Sequence, residues 1–110
     1  MNFKKLTIII PTLNEGGSIG ELLGKIKVLY PLAKIIVSDD GSTDNTHEIV
    51  RKFKGTYLLN RKNKKVKGLT ASVIDAVKIV KTPYIVVMDG DMQHPPEKVG
   101  DIAKKLINYK

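Results

Sequence analysis

Strand-like and helix-like segments alternate four times along this chain of 110 residues, and this alternation constrains the fold more than any other feature. The strand-like segments are Leu6–Ile10, Lys34–Ser38, Tyr57–Asn60 and Tyr84–Met88. In the segments that follow each of them, apolar residues recur at the three- and four-residue spacing of an amphipathic helix. Repeated strand–helix units favour a parallel sheet with right-handed crossovers. We therefore predict an α/β fold, a Rossmann-like parallel sheet with helices on both faces. We take the strand order to be 3-2-1-4, which would place a ligand crevice between the first and fourth strands.

The predicted helices have recognisable starts and apolar stripes. Ser18 followed by Glu21 has the pattern of a capping box, and Asn45 with Glu48 can cap the second helix. Pro95 can start the last helix, because proline is favoured in the first turn. The residues predicted to face inward are Ile19, Leu22, Leu23, Ile26 and Leu29, then Ile49, Val50 and Phe53, then Leu69, Val73, Ala76, Val77 and Val80, and finally Val99, Ile102, Ala103 and Leu106.

The composition bounds the class of protein. A hydrophobic content of 42% and a charged content of 27% are ordinary for one folded domain, so disorder is not expected. The absence of cysteine excludes a disulfide framework and a thiolate metal site, and it fits a reducing compartment. The sequence shows neither a signal peptide nor an apolar run long enough to span a membrane. We expect a cytoplasmic location, with peripheral residence at the cytoplasmic face of a membrane left open.

The net charge of +8 is unevenly distributed. Basic residues lie mainly in the predicted helices and in the segment Arg61–Lys67, which either holds phosphate or is an exposed cationic loop. Six acidic residues come just after strand-like segments: Glu15, Asp39, Asp40, Asp44, Asp89 and Asp91. A basic body with an acidic pocket suits a cation bound together with an anionic substrate, and it also suits anionic lipid headgroups. Nucleic acid is not expected as a partner, because the basic segment has no interleaved aromatic residues for base stacking.

The fourth strand-like segment ends at Asp89, Gly90 and Asp91, with Gln93 two residues further on. In extended chain, residues two apart point the same way, so the three polar side chains can converge on one point. Carboxylate and amide oxygens suit Mg²⁺ or Mn²⁺, which usually bridge to substrate phosphates. The pattern therefore predicts a metal site for a nucleotide diphosphate. The alternative is that the aspartates are ordinary turn and capping residues.

Three segments together resemble the family 2 glycosyltransferases, especially the polyprenyl-phosphate (dolichol-phosphate) mannosyltransferases and glucosyltransferases. They are Ile8–Glu15 (IIIPTLNE), Val37–Asp44 (VSDDGSTD) and Asp89–Glu97 (DGDMQHPPE), and they occur in the family's order and spacing. The resemblance covers essentially the whole chain but about the first half of the family's catalytic domain. It implies a GT-A fold in which residues 1–110 form a single domain, the nucleotide-sugar-binding half.

The resemblance also implies roles for individual residues. Asp89, Asp91 and Gln93 would be the metal ligands, and Asp91 would also be catalytic. The nucleotide base would lie beside Asp40, and Asp39 could be structural instead.

The remaining substrate contacts implied by the resemblance come from several loops. They are Pro11, Leu13, Glu15, Ser38, Gly90 and Lys67. The chain departs from the family at Leu13, where an aromatic residue is common, and at Gly68-Leu69-Thr70, where Gly-Leu-Gly is usual.

The two histidines have weaker functional signals. His47 falls within a predicted helix and is expected on its surface. His94 is expected to be a loop-packing residue. No Ser-His-Asp arrangement can be assembled from the sequence, so covalent hydrolase chemistry has no support.

These observations favour a metal-dependent, nucleotide-sugar-binding part of an inverting glycosyltransferase. It would transfer a hexose, mannose or glucose, from GDP-mannose or UDP-glucose to a polyprenyl phosphate, with little activity as this chain alone. The alternative is a non-catalytic nucleotide-sugar-binding module, or a half-domain that needs a partner. A nucleotidyltransferase is disfavoured, because its Gly-rich, Arg-containing loop is missing after the first strand. An uncovered fourth strand at the sheet edge would also promote self-association.

Overall fold

Four parallel strands form one sheet in the computed structural model, which describes residues 2–90. The strands are β1 (Leu6–Thr12), β2 (Lys34–Asp39), β3 (Thr56–Asn60) and β4 (Tyr84–Val87). Their order is β3-β2-β1-β4, and each neighbouring pair is parallel. The predicted strand order is therefore confirmed. Predictions for residues 91–110, including the last helix and His94, lie outside the described residues.

Helices cover both faces of the sheet, as predicted. They are α1 (Ile19–Leu29), α2 (Thr46–Arg51) and α3 (Leu69–Val77), and a 3₁₀ turn at Phe3–Lys5 precedes β1. The larger core joins α1 and α2 to one face, and the smaller core joins Ile9, Ile36 and Ala76 of α3 on the other. Every helix in this part of the chain is too short or too polar to cross a membrane.

The central position of β1 explains its sequence. Ile8, Ile9 and Ile10 are all completely buried, because helices pack on both faces and a strand pairs on each side. A strand buried on both faces has no reason to alternate apolar and polar residues. Each buried isoleucine contributes roughly 1.5–3 kcal/mol of transfer free energy. The run therefore fixes β1 as the centre of the sheet.

Three residues predicted to face inward are exposed instead. Leu29 is the last residue of α1, and Leu69 lies in the first turn of α3, beyond the strand ends. Val77 lies on the flank of α3, because the small residues Ser72 and Ala76, four apart, are the ones that face the sheet. The apolar spacing predicted that Ala76 faces the sheet, but it did not predict that Ser72 does so as well.

The two predicted helix caps are wrong in detail. Ser18 precedes α1 but makes no capping bond, since its hydroxyl donates to the carbonyl of Gly90 at 2.6 Å. Asn45 precedes α2 and also makes no capping bond. Instead, the Asp44 carboxylate accepts from the backbone N–H of Thr46 at 2.9 Å. The side chains of Ser18 and Asp44 both join loops at the carboxyl end of the sheet, because Asp44 also accepts from the backbone N–H of Gly16 at 3.0 Å.

Candidate functional site

A cleft of about 300 Å³ opens beyond the carboxyl ends of β1, β2 and β4. It is lined by Pro11, Thr12, Leu13, Glu15, Asp40, Gly68, Leu69, Ser72, Asp89 and Gly90. In an open parallel sheet, ligands bind at the point where the strand order reverses. Here that point lies at β1, because the chain runs outward to β2 and β3 and then returns to place β4 on the other side.

The sequence motifs converge at this cleft. Six residues predicted to bind substrate or metal line it: Pro11, Leu13, Glu15, Asp40, Asp89 and Gly90. They come from three segments far apart in the chain, so the parallel topology is what brings them together. Asp91 and Gln93 lie outside the described residues. Within residues 2–90, no cluster of three or more histidine, cysteine or acidic residues could hold a metal ion, so the metal site stays a prediction.

Gly90 is confined by its neighbours in the cleft wall. A Cβ atom at this position would lie 3.1 Å from the side chains of both Glu15 and Thr12. The backbone carbonyl of Gly90 is also held by the hydroxyl of Ser18. A larger residue would therefore push the loop after β4 away from the loop after β1. The missing side chain of Gly90 therefore leaves room for the side chains of Glu15 and Thr12.

Asp39 is a buried structural carboxylate at the end of β2. Its oxygens accept hydrogen bonds from the hydroxyl of Thr12 at 2.6 Å and from the backbone and hydroxyl of Ser42 at 2.7 and 2.5 Å. The backbone N–H of Gly41 also donates to it, at 2.9 Å. Asp39 therefore joins the end of β1 to the loop after β2, and it does not line the cleft.

These hydrogen bonds also control the ionisation of Asp39. Burial by itself raises the pKa of this carboxyl, but the hydrogen bonds from Ser42, Thr12 and His47 outweigh it and lower the pKa from 3.8 to about 2. The ring Nε2 of His47 lies 2.6 Å from Asp39 Oδ1, and the side chain is 18% exposed. The prediction that His47 is a surface residue is therefore wrong. It anchors α2 to the end of β2, a contact that helical periodicity alone does not reveal.

Asp40, the next residue, faces the cleft with its side chain 9% exposed. Its Oδ2 accepts from the backbone N–H of Gly68 at 2.7 Å, and its Oδ1 accepts from the hydroxyl of Ser72 at 3.0 Å. The guanidinium of Arg61 forms an ion pair with Oδ1. Asp40 therefore holds the first turn of α3 at the cleft, where Gly68 has a φ of 113° that favours glycine.

Arg61 is the residue of the site that sequence reasoning missed. It was assigned to a basic loop, but it is only 2% exposed. Its Nε donates to Asp75 Oδ2 at 2.9 Å, and its second terminal nitrogen donates to the Val66 carbonyl at 2.8 Å. The hydrogen bond from Arg61 lowers the pKa of Asp75. The available signal was that Arg61 is the single arginine in a run of lysines, since a planar guanidinium suits several partners in fixed directions.

Two other predicted substrate contacts have structural partners. The ammonium of Lys67 donates to the carbonyls of Asp40, Arg61 and Lys62 at 3.1, 2.7 and 2.9 Å, which uses its three N–H groups. Ser38 is completely buried, and its hydroxyl donates to the Ser72 carbonyl at 2.8 Å. Neither residue lines the cleft. Their roles in substrate binding stay predictions.

Comparison with known proteins identifies the family. A sequence model described as glycosyl transferase family 2 matches residues 7–110. The chain belongs to glycosyltransferase family 2. This membership confirms the resemblance carried by the three motifs and places the chain in the transferase class.

The curated relatives of this family 2 chain include enzymes that act on lipid phosphates by name. One is the dolichol-phosphate mannosyltransferase of Pyrococcus furiosus, 36% identical over 94% of this chain and 30% of that protein. Another is the dodecaprenyl-phosphate galacturonate synthase of Rhizobium johnstonii, 30% identical over 93% of this chain and 32% of that protein. The chain thus spans about a third of the length of these two relatives.

Solved structures confirm the GT-A fold. Glucosyl-3-phosphoglycerate synthase from Mycobacterium tuberculosis, crystallised with Mn²⁺, UDP and glucosyl-3-phosphoglycerate, superposes with a TM-score of 0.79. The overlap covers 92% of this chain and 39% of that protein, at 23% identity. At this sequence identity, the superposition shows that the two proteins share an arrangement of strands and helices.

Proposed function

We propose that this chain is the donor-binding part of an inverting glycosyltransferase that transfers a hexose from a nucleotide diphosphate sugar to a polyprenyl phosphate. The observation that carries the proposal is the cleft at β1, where the loop at 11–15, Asp40 and Asp89 meet. The names of the curated relatives support a polyprenyl phosphate as the acceptor. Mannose and glucose, carried by GDP or UDP, are the sugars we expect.

The residues present fit a divalent cation on the β4 side of the cleft. Asp89 and Gly90 lie side by side in the cleft wall. Asp91 and Gln93 would complete a set of oxygen donors of the kind that Mg²⁺ and Mn²⁺ prefer. A bound cation would neutralise the charge that develops on the departing nucleoside diphosphate. Crystallisation of glucosyl-3-phosphoglycerate synthase with Mn²⁺ and UDP supports this choice of ion.

The proposed transfer balances without a further reactant. An anionic oxygen of the lipid phosphate attacks the anomeric carbon and forms the new C–O bond. The bond from that carbon to the nucleotide's phosphate oxygen breaks, and the nucleoside diphosphate leaves with the electron pair. An acceptor that is already anionic does not require a strong general base.

A thermal-shift panel tests donor binding directly. GDP, UDP, GDP-mannose and UDP-glucose are compared with and without Mn²⁺, for the wild type and for Asp89→Asn. A ligand at one hundred times its dissociation constant adds about 2.7 kcal/mol, which raises the melting temperature by several degrees to more than ten. We expect a metal-dependent shift that Asp89→Asn abolishes. Glu48→Gln, an exposed acidic residue on α2, is the matched control that should retain it.

Two outcomes would count against the proposal. A shift that is independent of Mn²⁺ would remove the metal from donor binding, and no shift with any nucleotide would remove the donor site. The second candidate is a non-catalytic nucleotide-sugar-binding module, since the cleft residues named above are predicted to contact the donor. Donor binding without transfer, even when the rest of a family 2 catalytic domain is supplied, would support that candidate.

A further inference from the structure

A row of polar side chains leads from the surface of α3 to the cleft. Asp75 is 22% exposed, and its carboxylate contacts Arg61, which is buried and in turn contacts Asp40 at the cleft wall. Burying a guanidinium is costly unless its donors are satisfied. Here Arg61 is satisfied by two carboxylates, the hydroxyl of Ser72 and the carbonyl of Val66. The buried charge is therefore built into the wall behind the proposed nucleotide site.

These contacts fix the Asp40 carboxylate from both of its oxygens. An ionised carboxylate offers about four acceptor positions. Within residues 2–90, three donors reach Asp40, from Arg61, Ser72 and Gly68. About one acceptor position is left, and the carboxylate cannot rotate to present it elsewhere without breaking a contact. At Asp40, a ligand in the cleft therefore meets one remaining acceptor position of fixed direction.

We propose that Arg61, held by Asp75, is a positioning residue that makes Asp40 select the nucleobase of the donor. This inference rests on the proposed function and takes the base to lie beside Asp40, which lines the donor cleft. Uracil and guanine present a ring N–H on their pairing edge and can donate to the acceptor. Cytosine and adenine present an unprotonated ring nitrogen at the equivalent place, so they could donate only through the neighbouring exocyclic amine, from a shifted position. The site therefore favours uridine and guanosine diphosphates over cytidine and adenosine diphosphates.

An arginine is needed at this position because of its geometry. Its planar guanidinium reaches Asp40, Asp75 and the Val66 carbonyl in three fixed directions. A lysine ammonium is a point charge on a flexible stem and cannot hold the same three partners. We therefore expect Arg61→Lys to keep a positive charge in the wall while it releases the direction of Asp40.

The test measures base selection and not affinity alone. Dissociation constants of UDP, GDP, CDP and ADP are measured by calorimetry with Mn²⁺ for the wild-type chain, Arg61→Lys, Asp75→Asn and Lys78→Gln. We expect the wild type to bind UDP or GDP about 10- to 100-fold more tightly than CDP and ADP. Arg61→Lys should reduce that ratio at least about tenfold, and Asp75→Asn should reduce it by less. Lys78→Gln removes a surface ion pair to Asp75 at 3.5 Å and should leave the ratio unchanged.

The outcomes separate this inference from the proposed function. A wild-type chain that binds none of the four nucleotides overturns the proposed donor site itself. Binding without discrimination among the bases overturns base selection by Asp40. Weaker binding of all four nucleotides in Arg61→Lys, with an unchanged ratio, makes Arg61 merely structural. If Arg61→Lys does not fold, Asp75→Asn decides. This substitution weakens the contact that holds Arg61 and leaves the positive charge of Arg61 in place.

Discussion

The two sides of the cleft are built differently. The side formed by β1 and β2 is joined by many hydrogen bonds, centred on the buried carboxylate of Asp39. The β4 side is an edge: β4 pairs with β1, and no strand within residues 2–90 pairs with its outer side. Val87 on that strand is 44% exposed. The comparison teaches that, within residues 2–90, buried side-chain hydrogen bonds cross-link the β1–β2 side, whereas β4 pairs with another strand along one edge.

Loop contacts reinforce this difference. The Asn14 side chain accepts from the backbone N–H of Thr43 at 2.8 Å, while the Asn14 N–H donates to the Ser42 hydroxyl at 2.8 Å. The loops after β1 and β2 are thus fastened in both directions. On the β4 side, a hydrogen bond from the Ser18 hydroxyl to the Gly90 carbonyl joins the loop after β4 to the start of α1. This pattern predicts that substitutions on the β1–β2 side lower the free energy of unfolding more than substitutions on the β4 side do.

The largest expected effect is loss of the Asp39 carboxylate. Asp39→Ala leaves the buried hydroxyl of Thr12 and the N–H groups of Gly41 and Ser42 without an acceptor, at about 1–3 kcal/mol for each unsatisfied group. We expect the free energy of unfolding to fall by at least about 3 kcal/mol in urea denaturation. Glu48→Ala, on the exposed face of α2, should change it by less than about 0.5 kcal/mol. If the two substitutions lower the free energy of unfolding equally, Asp39 is not the centre of the hydrogen bonds on the β1–β2 side.

Acidification should produce the next largest effect. The pKa of Asp39 is depressed from 3.8 to about 2, so its ionised form stabilises the fold. That contribution is complete above about pH 5 and is lost as the pH falls through about 2, at roughly 2 kcal/mol. Denaturation of the wild type at a series of pH values, with Asp39→Asn as the reference, measures it. A difference between the two proteins that stays constant from pH 5 to pH 2 would contradict the prediction.

A smaller effect is expected on the β4 side. Ser18→Ala removes the hydrogen bond to the Gly90 carbonyl and should lower the free energy of unfolding by about 1 kcal/mol. The same hydrogen bond holds the loop that carries Asp89. We therefore expect the free energy of metal-dependent nucleotide binding to fall by more than the free energy of unfolding. Thr43→Ala, in an exposed loop on the other side, is the control. If Ser18→Ala costs as much as Asp39→Ala, the proposed difference between the two sides is wrong.

The smallest effect on stability is expected from Val87→Lys, which concerns self-association. An exposed apolar edge can recruit other chains, and a lysine opposes such pairing. We propose that the chain self-associates through β4, and we expect Val87→Lys to reduce the association seen by sedimentation at high concentration. Stability should change by less than about 0.5 kcal/mol, because the side chain is nearly half exposed. A wild-type chain that stays monomeric at high concentration would refute the proposal.

Most of the candidate site could be predicted from the sequence, because its signals are local. Pro11 lies at the end of β1, Asp40 follows β2 directly and Asp89 comes two residues after β4, and a parallel sheet places such ends at one edge. The errors concern residues whose partners are distant in sequence. Ser18 was predicted to cap its own helix but bonds to Gly90, and His47 was predicted at the surface but contacts Asp39.

The sequence by itself determined the number and direction of the strands and the edge where the motifs meet, whereas the structure established the strand order. It could do so because strand and helix periodicities, and the turn residues between them, act over a few neighbouring residues. Only the tertiary structure decided how two adjacent aspartates divide their roles. Asp39 turns into the protein and Asp40 toward the cleft, because successive side chains at a strand end point to opposite sides. What surrounds each one depends on Arg61 and His47, whose contacts no local pattern records.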